Sequence, residues 1–212
     1  NILYEEVLSL NILVGVTGSS GVVELPMYLR VFREKLDANI RLVCTSNVQK
    51  FIDVNFLAAH ADAPAYQDMY DFPKEYTRNR VPHSFLHDWA DIFIILPCTA
   101  NTLAKCANGI ADNLLTMLVL CSPRPVVFFP NMGPNMWDAK VTQYNAKKLI
   151  SFGHKVVFPS GNAWITATGE KVDYGHVPPP YTVAEYIQRH IQQSDNELKG
   201  GELHESENAS NS

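Results

Sequence analysis

Cysteine is scarce in this chain: four occur in 212 residues, Cys44, Cys98, Cys106 and Cys121, and no two form a CxxC pair. That excludes a paired-thiol redox centre and leaves free thiols, buried in apolar segments of a protein kept in a reducing compartment, as the expectation. The seven histidines are scattered and no His/Cys cluster has ligand spacing, so no metal site is expected. Long apolar runs are missing as well. None approaches the ~20 residues that cross a bilayer, and Asn1 to Ser9 lack a basic start followed by an apolar stretch. The expectation is a cytoplasmic protein with no membrane partner. Basic charge is the minority sign, 17 Lys and Arg against 22 acidic residues for a net charge of -5, and it is not clustered. A nucleic-acid partner needs a basic face to displace counterions, so none is expected.

What the chain does have is apolar residues, 46% of the total, enough for one core between packed layers. Short β-rich runs alternate with longer amphipathic stretches, the pattern of a parallel sheet covered by helices on both faces. Strands are expected at Leu10–Val16, Ile40–Thr45, Ile92–Pro97, Val126–Pro130 and Lys155–Pro159. Helices are expected near Val22–Leu36, Val48–Ala58, His83–Ala90, Asn113–Leu120, Val141–Phe152 and Val183–Ile191. Ala61–Arg80 reads as an irregular excursion. Ser160–Pro180 carries too many glycines and prolines for a regular element and reads as a lid or substrate clamp. The fold class expected is α/β, a Rossmann-like (flavodoxin-like) parallel sheet in a single domain over 1–191. Residues 192–212, polar and acidic, read as a disordered tail.

In open α/β sheets ligands bind beyond the carboxyl ends of the strands, so function is sought there. The first strand runs into Gly15-Val16-Thr17-Gly18-Ser19-Ser20-Gly21 and then a helix, presenting backbone N–H groups and hydroxyls as an anion site. The spacing is neither a Walker lysine loop nor GxGxxG, and a tight turn with an N-cap serine accounts for the same residues. Thr45-Ser46-Asn47 after the second strand offers hydroxyl contacts or a helix cap, and taken alone capping is the better reading. After the third strand comes Pro97-Cys98-Thr99-Ala100-Asn101-Thr102, followed by a stretch containing Asn113. After the fourth comes Pro130-Asn131-Met132-Gly133-Pro134-Asn135-Met136-Trp137. Each places small or amide side chains where a planar, phosphate-bearing ligand would meet the sheet edge. Met136 and Trp137 read as core.

These segments resemble the flavin-binding cysteine decarboxylases, whose signatures are a PASANT-like and a PxMNxxMW-like segment. Here they read PCTANT (Pro97–Thr102) and PNMGPNMW (Pro130–Trp137), and Trp89-Ala90-Asp91 precedes the third strand as in that family. The likeness runs from about Leu10 to about Ile191. Within the family, Ala163–Gly169 looks most like the lantibiotic peptidyl-cysteine decarboxylases of mersacidin and epidermin type. The resemblance implies bound FMN, with FAD as the alternative, held by Gly18, Ser19 and Ser20, by Thr45 and Asn47, by Pro97, Thr99, Ala100, Asn101 and Thr102, and by Asn113 and Met132. It implies His83 as the catalytic residue, with His87 the rival on the same helical face. Asn131, Gly133, Asn135, Trp164 and Thr168 are implied as substrate contacts. The implied assembly is a homotrimer, often built into a homododecamer, with the active site between subunits. The implied reaction removes two electrons from a C-terminal cysteine, hydride passing to the flavin, and expels its carboxylate as carbon dioxide to leave an enethiol.

Two positions depart from the family. The decarboxylases of coenzyme A biosynthesis use a flap cysteine to reduce the enethiol to a saturated thiol. Here that stretch reads Ala167-Thr168-Gly169-Glu170, and a threonine hydroxyl does not replace a thiol. This favours a precursor peptide ending in Cys as substrate and disfavours phosphopantothenoylcysteine. Gly133 also stands where the family has an asparagine thought to bind the substrate carboxylate. That leaves a non-catalytic flavin-binding or regulatory subunit as one alternative and a phosphopantothenoylcysteine decarboxylase as another.

Overall fold

A computed structural model describes residues 9–61, 63–67, 82–164 and 168–193, with the backbone alone at Pro82, Ala163 and Trp164. Most of the Ala61–Arg80 excursion, the clamp tip at 165–167 and the tail from 194 onward lie outside the described residues. Five parallel strands form the main sheet: β1 Asn11–Val16, β2 Asn39–Cys44, β3 Ile92–Cys98, β4 Val126–Pro130 and β5 Lys155–Val156. Their order is β2-β1-β3-β4-β5. The chain steps outward in opposite directions from β1, so a crevice opens between the carboxyl ends of β1 and β3, the switch point where doubly wound sheets bind ligands. The α/β, Rossmann-like fold expected from the sequence is the fold observed.

Side-chain alternation along the strands divides the core. Ile12, Val14, Val16, Leu42, Ile94 and Phe129 pack against α1 Leu25–Leu36, α2 Val54–Ala61 and the last helix, α8, residues 180–193. Leu13, Val43, Phe93, Ile95 and Phe128 face the opposite layer, α3 Pro82–Trp89, α4 Ala100–Ala107, α5 Leu114–Leu120 and α7 Lys140–Ser151. Burial on both faces explains why the central strands read as continuous apolar runs instead of alternating ones. Among the described residues no helix is long and apolar enough to cross a membrane.

Several boundaries differ from the sequence reading. A 3-10 turn at Ser20–Glu24 precedes α1, and another at Val48–Lys50 separates from α2 what periodicity had joined. The helix α4 was not expected. It starts because the Thr99 hydroxyl accepts the Thr102 N–H at 3.3 Å, a cap hidden inside the PCTANT segment. Ser160–Pro180 is not irregular throughout: β6 Gly161–Trp164 and β7 Lys171–His176 pair as an antiparallel hairpin. Gly169 and Gly175 sit at φ 71° and 109°, so the glycines that argued against a regular element supply the turn and the bend that make one possible. α8 begins at Pro180, which suits a first helical position because its missing N–H has no partner to lose. Met136, expected in the core, is 53% exposed, on the short α6 Pro134–Trp137, while Trp137 beside it is buried. Cys121 is exposed as well, at the end of α5, unlike the buried Cys44 and Cys98.

Candidate functional site

Thr17, buried at the end of β1, ties the first loop to the third. Its hydroxyl donates to the Pro97 carbonyl at 2.7 Å and accepts the Thr99 N–H at 2.9 Å. The loop then turns on the Ser19 N–H to Thr17 carbonyl bond, 3.0 Å. Ser19 occupies the N-cap position of the 3-10 turn, yet its side chain makes no capping bond, and its Oγ is buried without a partner. The capping account of this serine therefore fails, which leaves a hydroxyl withdrawn from water with nothing to bind inside the chain. Asn47 likewise precedes a 3-10 turn without a side-chain cap.

The loops press on one another too closely for side chains between them. A Cβ on Gly18 would lie 2.6 Å from Asn47 Cβ and 2.7 Å from the Asn47 carbonyl oxygen. One on Gly21 would lie 2.8 Å from the Asn131 side-chain amide. The first loop is thus held between those that follow β2 and β4, with glycine the residue that permits the approach. Asn131 is itself anchored by its N–H to the Cys98 carbonyl, 2.9 Å, while its side-chain Nδ2 is buried with no acceptor. Buried polar groups are nearly always paired, so two orphans, Ser19 Oγ and Asn131 Nδ2, on loops packed against each other point to a ligand that completes them.

Around these lie the other residues the sequence singled out. Pro97 is buried, Thr99 and Ala100 half-buried and Asn101 exposed at the first turn of α4, and Thr102 is buried with its hydroxyl accepting from Thr99 at 3.2 Å. Ser20 is exposed and Thr45 half-buried beside the first loop. Met132 is buried, its N–H bonded to the Gly175 carbonyl at 2.9 Å, so β7 closes over the fourth loop. The Tyr174 hydroxyl donates to Asp138 at 2.5 Å, fixing the same hairpin to the end of α6; that bond to a carboxylate raises the phenol's pKa. Gly133 is exposed at φ -59°, and a Cβ there would meet nothing within 4 Å. Asn135, next to it, is exposed.

Other candidates stand apart. Asn113 caps α5: its side-chain oxygen accepts the Thr116 N–H at 3.0 Å, its N–H is received by the Thr116 hydroxyl at 3.3 Å, and its Nδ2 donates to Asp112 at 3.0 Å. The side chain is thus committed to its own turn. Thr168 is exposed and bonds locally with Glu170. Trp164 is placed by its backbone in β6, and its side chain lies outside the described residues. His83 is half-buried in the first turn of α3. Since α3 delivers the chain to the amino end of β3, its first turn lies toward the carboxyl edge. His87 faces the interior instead, with Nε2 3.4 Å from Cys121 Sγ and its ring edge-on to Phe93. Burial lowers its pKa, and its ring is engaged in packing. Sequence reasoning missed the individual roles of Thr17 and Gly21; the signal for Thr17 was a hydroxyl closing a strand with no polar side chain from Ile12 to Val16.

The gathered donors are hydroxyls, amides and backbone N–H groups, with no carboxylate among them. That set suits a ligand with a phosphate and a planar polar ring, and the two orphans fit a flavin nucleotide. Among the described residues no group of three or more His, Cys, Asp or Glu could hold a metal ion.

Comparison with known proteins agrees with this chemistry. Residues 2–192 match the family model described as Flavoprotein. The chain is 34% identical over 148 residues to mersacidin decarboxylase of Bacillus sp. (strain HIL-Y85/54728), covering 70% of this chain and 73% of that one. It is 32% identical over 148 residues to phosphopantothenoylcysteine decarboxylase of Mus musculus, covering 68% and 70%. A 30% match to the coenzyme A biosynthesis bifunctional protein CoaBC of Bacillus subtilis spans only 36% of that longer protein. Among solved structures, the FMN-dependent cysteine decarboxylase SpaF superposes with a TM-score of 0.64 at 32% identity, covering 70% of this chain and 83% of that one. Relatives from the lantibiotic and coenzyme A branches match to similar degrees, so likeness alone does not choose a branch. The chain belongs to the flavoprotein decarboxylase family, and its activity is of that flavin-dependent, decarboxylase type.

Proposed function

We propose that this chain binds FMN, with FAD the alternative, at the carboxyl edge of the sheet and oxidatively decarboxylates the C-terminal cysteine of a precursor peptide to an enethiol. The observation that carries the reading is the pair of buried, unpartnered groups, Ser19 Oγ and Asn131 Nδ2. Gly18, Ser19 and Ser20 would receive the phosphate, and Thr45, Asn47, Pro97, Thr99, Ala100, Asn101, Thr102 and Met132 the remainder of the cofactor. Asn113, engaged in its cap, contributes through its backbone or not at all. When bound, the flavin supplies a two-electron acceptor.

The chain's own residues divide the rest of the work. His83 takes the thiol proton, a task suited to an imidazole at neutral pH. The two N–H groups of the Asn131 amide serve the flavin and, beside it, the substrate carboxylate, the latter a role the family gives to the position that is Gly133 here. Asn135 and Trp164 hold the peptide. Thr168 brings no thiol to the hairpin turn, and no cysteine follows Cys121, so no group of this chain reduces the enethiol further. That distinction favours a peptide over phosphopantothenoylcysteine. The assembly is a homotrimer, extended to a dodecamer, with His83 serving a site between subunits.

The experiment incubates the flavin-loaded protein with peptides ending in cysteine and weighs the products. The expected product has lost about 46 Da, carbon dioxide and two hydrogens. His83→Asn abolishes this while leaving flavin bound. Unchanged peptides would reject the substrate assignment, and conversion of phosphopantothenoylcysteine to the saturated thiol would replace it with the coenzyme A reading.

A further inference from the structure

A second feature lies away from the strand ends that face the flavin. Arg41, in the amino-terminal half of β2, alternates onto the face shared with Val43, where α3 covers the sheet. Its guanidinium packs against two rings, Cζ lying 4.5 Å from the Phe85 centroid and 4.6 Å from that of Trp89. Ring contact satisfies the guanidinium face and leaves its in-plane N–H groups to form hydrogen bonds. One of those nitrogens, Nη1, is buried with no partner. Arg41 lines a pocket of about 210 Å³ together with Arg33, Ala38, Asn39, Ala63 and Trp89, and no described residue lining it is acidic. Arg33, on the same wall, donates to the His60 carbonyl at 3.2 Å and is held by its own contacts.

An arginine held against two rings, with an unpaired N–H group at a pocket, is arranged for a planar or tetrahedral oxyanion. In a chain of net charge -5 an uncompensated cation at a cavity is not explained by the general balance of charge. We propose that this pocket is a second binding site, taking a small ligand that bears a carboxylate or phosphate, with the oxyanion seated on the free edge of Arg41. Trp89 and the alanine methyls would cover the apolar remainder of such a ligand. The inference does not rest on the flavin reading and stands or falls separately.

The test uses the flavin-loaded protein, so that the first loop is filled, and titrates inorganic phosphate and malonate in separate arms at constant ionic strength. Calorimetry and tryptophan fluorescence report binding, since Trp89 stacks on the responding guanidinium. The expected result is saturable binding of at least one anion at one site, weakened about tenfold or more in Arg41→Met, which keeps the packing stem and removes the charge. Ala63→Glu, which places a carboxylate at the pocket wall, should abolish binding with the flavin spectrum unchanged, and so guards against a misfolded Arg41 variant. Absence of saturable binding of either anion would overturn the proposal, as would binding that Arg41→Met leaves unaltered. Asp62, between Ala61 and Ala63, lies outside the described residues. Binding seen only in Asp62→Asn would mean that the chain supplies its own counter-ion, and would overturn it too.

Discussion

Ser19→Ala separates a structural hydroxyl from one kept for a ligand. The Ser19 Oγ is buried, has no partner and does not cap the turn that follows it. An unpaired buried hydroxyl carries a desolvation cost of about 1–3 kcal/mol. Replacing it with a hydrogen returns part of that cost, offset by the small void left behind. The flavin-free protein should therefore gain about 1 kcal/mol, a rise in Tm of about 2–4 °C for a chain of this size. With flavin bound the sign reverses. A hydrogen bond to a charged phosphate contributes about 1.5–3 kcal/mol, so the flavin dissociation constant should rise about tenfold to a hundredfold. The assay is thermal unfolding of both proteins with and without flavin, beside a titration that follows the quenching of flavin fluorescence. A flavin-free Ser19→Ala protein that melts several degrees lower while binding flavin normally would refute the reasoning, because the hydroxyl would then have a partner within the fold.

Thr17→Val keeps the shape of the side chain but strands the Pro97 carbonyl and the Thr99 N–H that its hydroxyl joins. It should cost about 2–3 kcal/mol in urea unfolding and weaken flavin binding, with Thr17→Ser restoring most of both. Gly133→Asn meets open space at a backbone angle any residue adopts. Its stability should hold or rise by about 0.4–1 kcal/mol, and kcat/KM on a Cys-terminated peptide should rise about tenfold as a carboxylate donor returns; a lower Tm or lost flavin contradicts this. His154 accepts the Val126 N–H on Nδ1 at 3.1 Å, and burial lowers its pKa from the usual 6.5. As pH falls the unfolded chain takes up this proton first, so the contribution is complete above about pH 6.5 and is lost below it. Urea midpoints should fall as pH drops below about 6.5, and less steeply in His154→Gln.

Much of this architecture could be read from the sequence because local and global signals agree. The buried parallel strands announce themselves as apolar runs, and the ligand edge follows from where those runs break into Gly, Ser, Thr and Asn. Thr99 and the hairpin were harder. The first is a cap whose helix begins inside a segment that also looks like a ligand loop. The second is built from residues, Gly169 and Gly175, whose usual effect is to end structure. The orphaned state of Ser19 and Asn131 was beyond sequence altogether, since it depends on glycines that bring distant loops together, Gly18 against Asn47 and Gly21 against Asn131. Met136 was misjudged because a short helix on an exposed loop turns one methionine outward while Trp137 goes in.

The central claim, that the loops after β1 to β4 form a flavin cradle, is tested most directly by releasing the chromophore from the purified protein and weighing it, then offering FMN to the stripped chain. The account predicts a yellow protein that yields FMN, or FAD, at one per chain and regains it on reconstitution, with Gly18→Leu failing to do so because its side chain would occupy the space against Asn47. A colourless protein that takes up no flavin would contradict it.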